Sequence, residues 1–104
     1  MTYTDSFTAL ADPTRRLVFE KLARTPSAVG QLAQDLPVSR PAVSQHLRVL
    51  SDAGLVVSTA QGTRRIYAIR KEGLAELRDW VNGFWDDVLQ DFSNEIDRLK
   101  GPIQ

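Results

Sequence analysis

A long amphipathic pattern in the C-terminal third of the sequence most constrains how this chain can fold. From residue 71 to about residue 99, apolar side chains recur every three or four positions, which predicts one continuous helix. At 1.5 Å per residue this helix is about 43 Å long, which exceeds what so small a domain can cover by itself. The pattern therefore predicts a homodimer, with these interface residues on the last helix: Leu77, Val81, Phe84, Trp85, Val88 and Phe92.

Four shorter helices are predicted before it. The first covers about residues 5–11, and the second is capped by Asp12 with Pro13 at its first position. Ser27 is predicted to cap the third, Ser39 caps the fourth, and the fourth ends at the glycine in position 54. The predicted apolar residues are Leu17, Val18 and Leu22 on the second helix, Val29, Leu32 and Leu36 on the third, and Val43, Leu47 and Leu50 on the fourth.

Two short runs rich in β-branched residues lie between the fourth helix and the last. They cover residues 55–60 and 64–70, and the glycine-containing loop between them predicts a β-hairpin. The predicted fold is mostly α with a small β-hairpin: a winged helix-turn-helix of about five helices plus a two-stranded wing. We expect one domain over residues 1–104, with the helix-turn-helix at about 28–53, the wing at 55–70, a dimerisation helix at about 71–99, and a helix at about 5–11 whose dimerisation role is implied by the resemblance given below.

The net charge of zero conceals a strong asymmetry along the chain. Residues 36–71 contain six arginines and lysines but a single acidic residue, whereas residues 72–104 contain three basic and eight acidic residues. A basic segment attracts a polyanion even in a neutral chain. Scattered solvated charges are the alternative, but the clustering favours a phosphate-binding surface.

The fourth helix, at residues 39–53, has a polar face suited to reading DNA. Arginine pairs bidentately with guanine, glutamine pairs with adenine, and serine contacts a base or a phosphate. In a helix-turn-helix the second helix enters the major groove, and a basic hairpin tip suits contact with the DNA backbone or minor groove. The predicted DNA-binding residues are Ser39, Arg40, Pro41, Ser44, Gln45, His46 and Arg48 on the helix, and Thr63, Arg64 and Arg65 at the wing tip.

Three motifs in this order and spacing resemble one known family. The segments "DPTRR", "VSQHL" and "AGLV" are similar to those of the ArsR family of prokaryotic winged-helix transcriptional regulators, and the resemblance covers about residues 7–99. It implies a homodimer that binds double-stranded operator DNA and represses transcription until an effector releases it. It also implies that the first helix, with Phe7 and Leu10, joins the last helix in the dimer interface.

The sequence departs from the metal-sensing members of that family. It contains no cysteine, and His46 is its single histidine, so it resembles a branch without the metal-binding cysteines. We therefore predict no metal and no cofactor, and expect an organic effector, a partner or protein abundance to regulate DNA binding. Without a cysteine nucleophile or a phosphate-binding glycine loop, the chain is not predicted to be an enzyme.

Several features allow two interpretations. The histidine of the fourth helix suits packing or phosphate contact better than metal binding, and Arg15 and Arg16 suit ion pairs or backbone contacts. An unidentified small-molecule effector could bind the aromatic residues of the last helix, although their spacing favours core and dimer interface. The acidic residues of that helix suggest a hard-metal site or, preferably, a solvated face. The aromatic set is Trp80, Phe84, Trp85 and Phe92, and the acidic set is Asp79, Asp86, Asp87, Asp91 and Glu95.

The sequence thus predicts a sequence-specific transcriptional regulator, acting as a repressor on an inverted-repeat operator. A winged helix that binds another protein instead of DNA is the alternative. The sequence shows no secretion signal and no apolar run of about 20 residues, so we expect a cytoplasmic protein without a membrane segment.

Overall fold

The computed structural model describes residues 3–100, and the predicted winged helix-turn-helix architecture is confirmed. The helices are α1 (Tyr3–Ala11), α2 (Pro13–Arg24), α3 (Val29–Asp35), α4 (Arg40–Asp52) and α5 (Lys71–Lys100). The strands are β1 (Ser27–Ala28), β2 (Val56–Gln61) and β3 (Arg64–Ile69). Residues 1–2 and 101–104 of the predicted domain lie outside the described residues.

The sheet has three antiparallel strands in the order β1-β3-β2, one more than the sequence predicted. Ser27 is paired with Tyr67 of β3, so its prediction as the cap of α3 was wrong. Its hydroxyl donates to the carbonyl oxygen of Thr25 at 3.0 Å, and Ala28 precedes α3 without a side-chain cap. The open edge of β3 supplies backbone partners to this segment, a long-range effect that a local capping pattern does not reveal.

The predicted caps of α2 and α4 are confirmed. Asp12 Oδ1 accepts the backbone N–H of Arg15 at 2.9 Å, and Ser39 Oγ accepts that of Ala42 at 3.3 Å. Each bond satisfies one of the N–H groups that have no partner within the first turn of a helix. The hydrogen bond from Arg15 favours the ionised carboxylate and therefore lowers the pKa of Asp12 below its usual value.

Gly54 ends α4 in the left-handed conformation, with φ of 76°. The N–H of Leu55 donates to the carbonyl of Leu50 at 3.0 Å, and the N–H of Gly54 donates to that of Ser51 at 2.9 Å. These two bonds form a Schellman motif, which favours glycine because a side chain strains the backbone at positive φ. The motif turns the chain directly from α4 into β2.

The core lies between α1, α2, α3, α4 and the base of the wing. Leu17 was predicted on the buried side of α2, but it is 47% exposed, and Phe19 is buried instead. Phe19 shares one side of the helix with Val18 and Leu22, whereas Leu17 points away from it. Leu36 and Val29 are half-buried at the edge of the core. The core residues are Ala9, Val18, Phe19, Leu22, Leu32, Val43, Leu47, Leu50, Ala53, Leu55 and Val56.

Helix α5 begins against this core and then extends away from it. At its start, a Cβ on Gly73 would overlap the carbonyl oxygen of Gly54, so the two backbones are in direct contact. The radius of gyration is 19.3 Å and the longest dimension is 71 Å. A compact domain of this length has a radius of gyration of about 13 Å. Much of α5 therefore lies beyond the reach of the protomer's own core.

Candidate nucleic-acid interface

Helix α4 separates its apolar and polar residues onto opposite faces. Val43, Leu47 and Leu50 are at most 1% exposed. The predicted DNA-reading residues Ser39, Arg40, Pro41, Ser44, Gln45 and Arg48 are all exposed, and His46 is half-buried. Positions 40, 44 and 48 are four residues apart and lie on one side of the helix. The core thus fixes the orientation of α4 and leaves a continuous polar face available.

The arginines of the basic segment divide into bonded and unbonded groups. Arg65 donates to Ser58 Oγ at 3.0 Å, and Arg70 donates to the carbonyl of Gly54 at 3.3 Å. Within the described part of the chain, the guanidinium groups of three others form no hydrogen bond or ion pair: Arg40, Arg48 and Arg64. Their charges are uncompensated and exposed, which is the state a phosphate or a guanine requires of its partner.

A groove of about 800 Å³ lies between α3, the start of α4 and β3. We call it the α3–wing groove. Three arginines and no carboxylate line it, so its potential is strongly positive. Its lining residues are Ala28, Val29, Gly30, Gln31, Ala33, Gln34, Arg40, Thr63, Arg64, Arg65 and Tyr67.

This groove groups the predicted site residues in a way that the sequence did not indicate. It brings Arg40 together with the wing-tip residues 63–65, whereas Ser44, Gln45 and Arg48 are not among its lining residues. Sequence reasoning missed Gln31 and Gln34 of α3, Gly30 and Tyr67. The two glutamines are three residues apart on the exposed side of α3, which was the one available signal.

The wing tip is a two-residue turn, since Gln61 pairs with Arg64 across the hairpin. Gly62 has φ of 63°, and Thr63 has no positive φ, which is the pattern of a type II′ turn. Such a turn matches the twist of the strands and sets the register that places Arg64 at the tip. Gly62 is therefore required by backbone geometry.

The histidine of α4 contacts α2. His46 Nδ1 lies 3.5 Å from Arg15 Nη1, at the long end of hydrogen-bond distances. Because arginine only donates, this hydrogen bond requires Nδ1 of His46 to be the acceptor. This contact favours the predicted packing role of His46.

Arg15 and Arg16 bind the backbone of α1. Arg15 Nε donates to the carbonyl of Ala9 at 2.6 Å, and Arg16 Nη1 donates to that of Leu10 at 2.9 Å. Neither forms an ion pair within residues 3–100. Both residues lie in the first turn of α2, where the helix dipole disfavours a cation. Their guanidinium groups, however, reach the C-terminal end of α1, where the dipole of that helix favours a cation. They join α1 to the helix-turn-helix.

The predicted dimer residues form an apolar surface on α1 and α5. Phe7 contacts Trp80 edge-on at 5.1 Å between ring centroids, and Trp80 stacks on Phe84 at 5.5 Å. Phe84 in turn meets Trp85 edge-on at 6.4 Å. Leu10, Leu77 and Val81 are half-buried, while Phe7, Phe84, Trp85, Val88 and Phe92 are exposed. These aromatic residues are therefore not core residues of the protomer.

Two further features concern the other interpretations of the sequence. Over the range that the structure describes, the histidine and acidic side chains form no group of three or more that could hold a metal ion. No helix in that range combines the length and apolarity needed to cross a membrane.

These elements define a winged helix-turn-helix with a basic groove and a polar recognition helix, a class of DNA-binding protein. A family model described as "Bacterial regulatory protein, arsR family" matches residues 12–58. The HTH-type transcriptional regulator Rv2034 of Mycobacterium tuberculosis is 55% identical over 89 residues, 86% of this chain and 83% of that protein. This chain belongs to the ArsR family of transcriptional regulators.

Two other similar proteins are informative. The transcriptional repressor SdpR of Bacillus subtilis is 28% identical, over 75% of this chain and 87% of that protein. A homodimeric winged helix-turn-helix DNA-binding domain, Mb0332 of Mycobacterium bovis, superposes with a TM-score of 0.66 and 30% sequence identity. That match covers 85% of this chain and 82% of the other.

Proposed function

We propose that this chain is a homodimeric repressor that binds an inverted-repeat operator and acts in the cytoplasm without catalysis. The observation that supports it best is the combination of an uncompensated basic surface on α4 and the wing with an exposed apolar surface on α1 and α5. The first surface suits a polyanion, and the second suits a copy of itself. The homodimeric domain of Mycobacterium bovis and the repressor of Bacillus subtilis are consistent with this assembly and role.

A two-fold dimer presents two recognition helices, so the operator has two half-sites. For helices in successive major grooves the half-site centres are about 10–10.5 base pairs apart. The test is selection of genomic fragments by the purified protein, followed by footprinting. Protection of two inverted half-sites is the expected result, and an asymmetric single site would contradict the proposed dimer on DNA. Fragments selected no better than random competitor would favour the alternative, a protein-binding winged helix.

Within the interface, we assign base readout to Gln45 and Arg48 and backbone contact mostly to Arg64 and Arg65. The first two lie on the polar face of α4, and Arg64 lies beside the turn at the wing tip. Arg48→Ala should reduce the free energy of binding to the operator by about 1–3 kcal/mol and relax the preference at a particular base pair. Arg64→Ala should weaken binding to all DNA sequences alike. It should also reduce the salt slope, the slope of log affinity against log salt concentration, by about one. An unchanged ranking of mutant operators in Arg48→Ala would refute this division.

We propose that neither a thiophilic metal nor a thiol oxidant is the signal that releases the protein from DNA. Such metals need several thiolate or imidazole ligands, and this sequence has no cysteine and a single histidine, which lies on α4. An organic effector would find its most apolar contacts at the aromatic residues Trp80, Phe84 and Trp85. Titration of the operator complex with zinc, cadmium, arsenite and peroxide should leave it intact. Stoichiometric dissociation by any of them would contradict this assignment.

A further inference from the structure

The side chain of Arg40 lies across the backbone of α3 at Gly30. A Cβ built on Gly30 would overlap Arg40 Nη2 and stand 3.2 Å from Cζ and 3.5 Å from Nε. The guanidinium group therefore occupies the space that any other residue would fill at position 30.

The backbone conformation does not explain this glycine. Among the described glycines only Gly54 and Gly62 have positive φ, so Gly30 has a conformation open to any residue. Alanine is also the better helix former, so local stability gives no reason for glycine at this position of α3. What the structure does show at this glycine is the space that it leaves for Arg40.

Arg40 lies at a place where its charge has no partner among the described residues. It lines the α3–wing groove with Arg64 and Arg65 from the opposite wall, and no carboxylate lines that groove. Gln34, on the α3 wall, makes no hydrogen bond through its side chain within the described residues, while Gln31 donates to Asp35 at 3.2 Å. A planar guanidinium in a groove of this charge fits a phosphate better than a base edge.

We propose that the α3–wing groove receives the sugar–phosphate strand of bound DNA. We also propose that Gly30 is a positioning residue, because it leaves the space in which Arg40 lies against one of the phosphates. Gln34 supplies a neutral donor to the same strand. This inference rests on the proposed DNA-binding function. It assigns Arg40 to contact with the DNA backbone, and it adds Gly30 and Gln34 of α3 to the interface.

The test uses Gly30→Ala, with a random-sequence 30-base-pair duplex and a selected operator fragment as probes. The alanine displaces the end of a flexible side chain, so the thermal midpoint should not fall. Affinity for both duplexes should fall by the same factor, about tenfold, and the salt slope should fall by about one. Gly83→Ala is the matched control, because a Cβ there meets nothing within 4 Å. It lies on the side of α5 opposite the apolar stripe and should bind as the wild type does.

A double-variant cycle separates positioning from a general effect on α3. If Gly30 acts through Arg40, the variant with both Gly30→Ala and Arg40→Ala should bind no more weakly than Arg40→Ala alone. Additive losses, an unaffected Gly30→Ala, or a changed ranking of operator sequences would overturn the inference. Arg40→Ala leaves α3 intact, so its uniform loss on both duplexes tests the phosphate contact independently. Wild-type protein that binds neither duplex would overturn the proposed function as well.

Discussion

Helices α4 and α5 carry apolar side chains at the same helical spacing, but the protomer buries the apolar side of α4 and leaves that of α5 half-buried or exposed. Val43, Leu47 and Leu50 are at most 1% exposed, whereas Trp85 and Phe92 are 53% and 62% exposed. Periodicity therefore identifies a helix and the direction of its apolar face, and does not identify what covers that face. In α4 the cover is the rest of the core. In α5 we propose that it is a second copy of the chain.

The largest expected effect is in the core contacts of α4. Leu50→Ala should lower the free energy of unfolding by about 2–5 kcal/mol, because it removes buried methyl groups and leaves a cavity. Chemical denaturation at fixed protein concentration measures this change. Leu89→Ala, at an α5 residue that is 57% exposed, is the matched control and should change it far less. Similar losses for the two variants would show that burial in the protomer does not distinguish the helices.

The next effect is in the proposed dimer surface of α5. Trp85→Ala should weaken dimerisation by about 2 kcal/mol or more, since large aromatic residues dominate the energetics of interfaces. Sedimentation equilibrium measures the dissociation constant, and the circular dichroism of the helix-turn-helix should be retained. Asp86→Asn, on the opposite side of α5, is the control. Wild-type protein that sediments only as a monomer at micromolar concentration would contradict the proposal that a second copy of the chain covers α5.

The junction of the two regions should respond to a smaller change. Gly73→Ala places a Cβ onto the carbonyl oxygen of Gly54, a backbone atom that cannot rotate away. We expect a loss of about 1–3 kcal/mol in the free energy of unfolding, as for other overpacked sites. Gly83→Ala has open space and should instead stabilise α5 by up to about 1 kcal/mol. Equal changes in the two thermal midpoints would show that the close approach has no energetic consequence.

The smallest effect concerns pH and the cap of α2. The pKa of Asp12 is lower in the folded protein than its usual value of 3.8, chiefly because the carboxylate accepts the N–H of Arg15. The stabilisation is therefore complete above that value and is lost as the pH falls through the lower, folded pKa. Asp12→Asn retains a capping oxygen and should reduce the acid sensitivity of the thermal midpoint between pH 5 and pH 2. An identical pH profile in the two proteins would show that Asp12 does not contribute.

Much of the fold could be predicted because its signals are local. Asp12 and Ser39 have the short acceptor side chains of helix caps, and Gly54 and Gly62 occupy positions where positive φ is needed. The alternation of the hairpin and the period of α4 and α5 follow from strand and helix geometry. The same locality led to errors at Ser27, whose segment pairs with β3, and at Leu17, which lies just outside the apolar side of α2.

By itself, the sequence determined the order of the elements, the polar face of α4, the basic tip of the wing and the excess of apolar surface on α5. Each depends on neighbouring residues or on a spacing that repeats along the sequence. Only the tertiary structure decided that Arg40 lies over Gly30 in a groove with the wing arginines, and that Arg15 and Arg16 bind the end of α1. The physical reason is that the packing of separate helices sets the partner of each side chain. This packing brings together residues that are distant in the sequence, and such contacts produce no repeating sequence pattern.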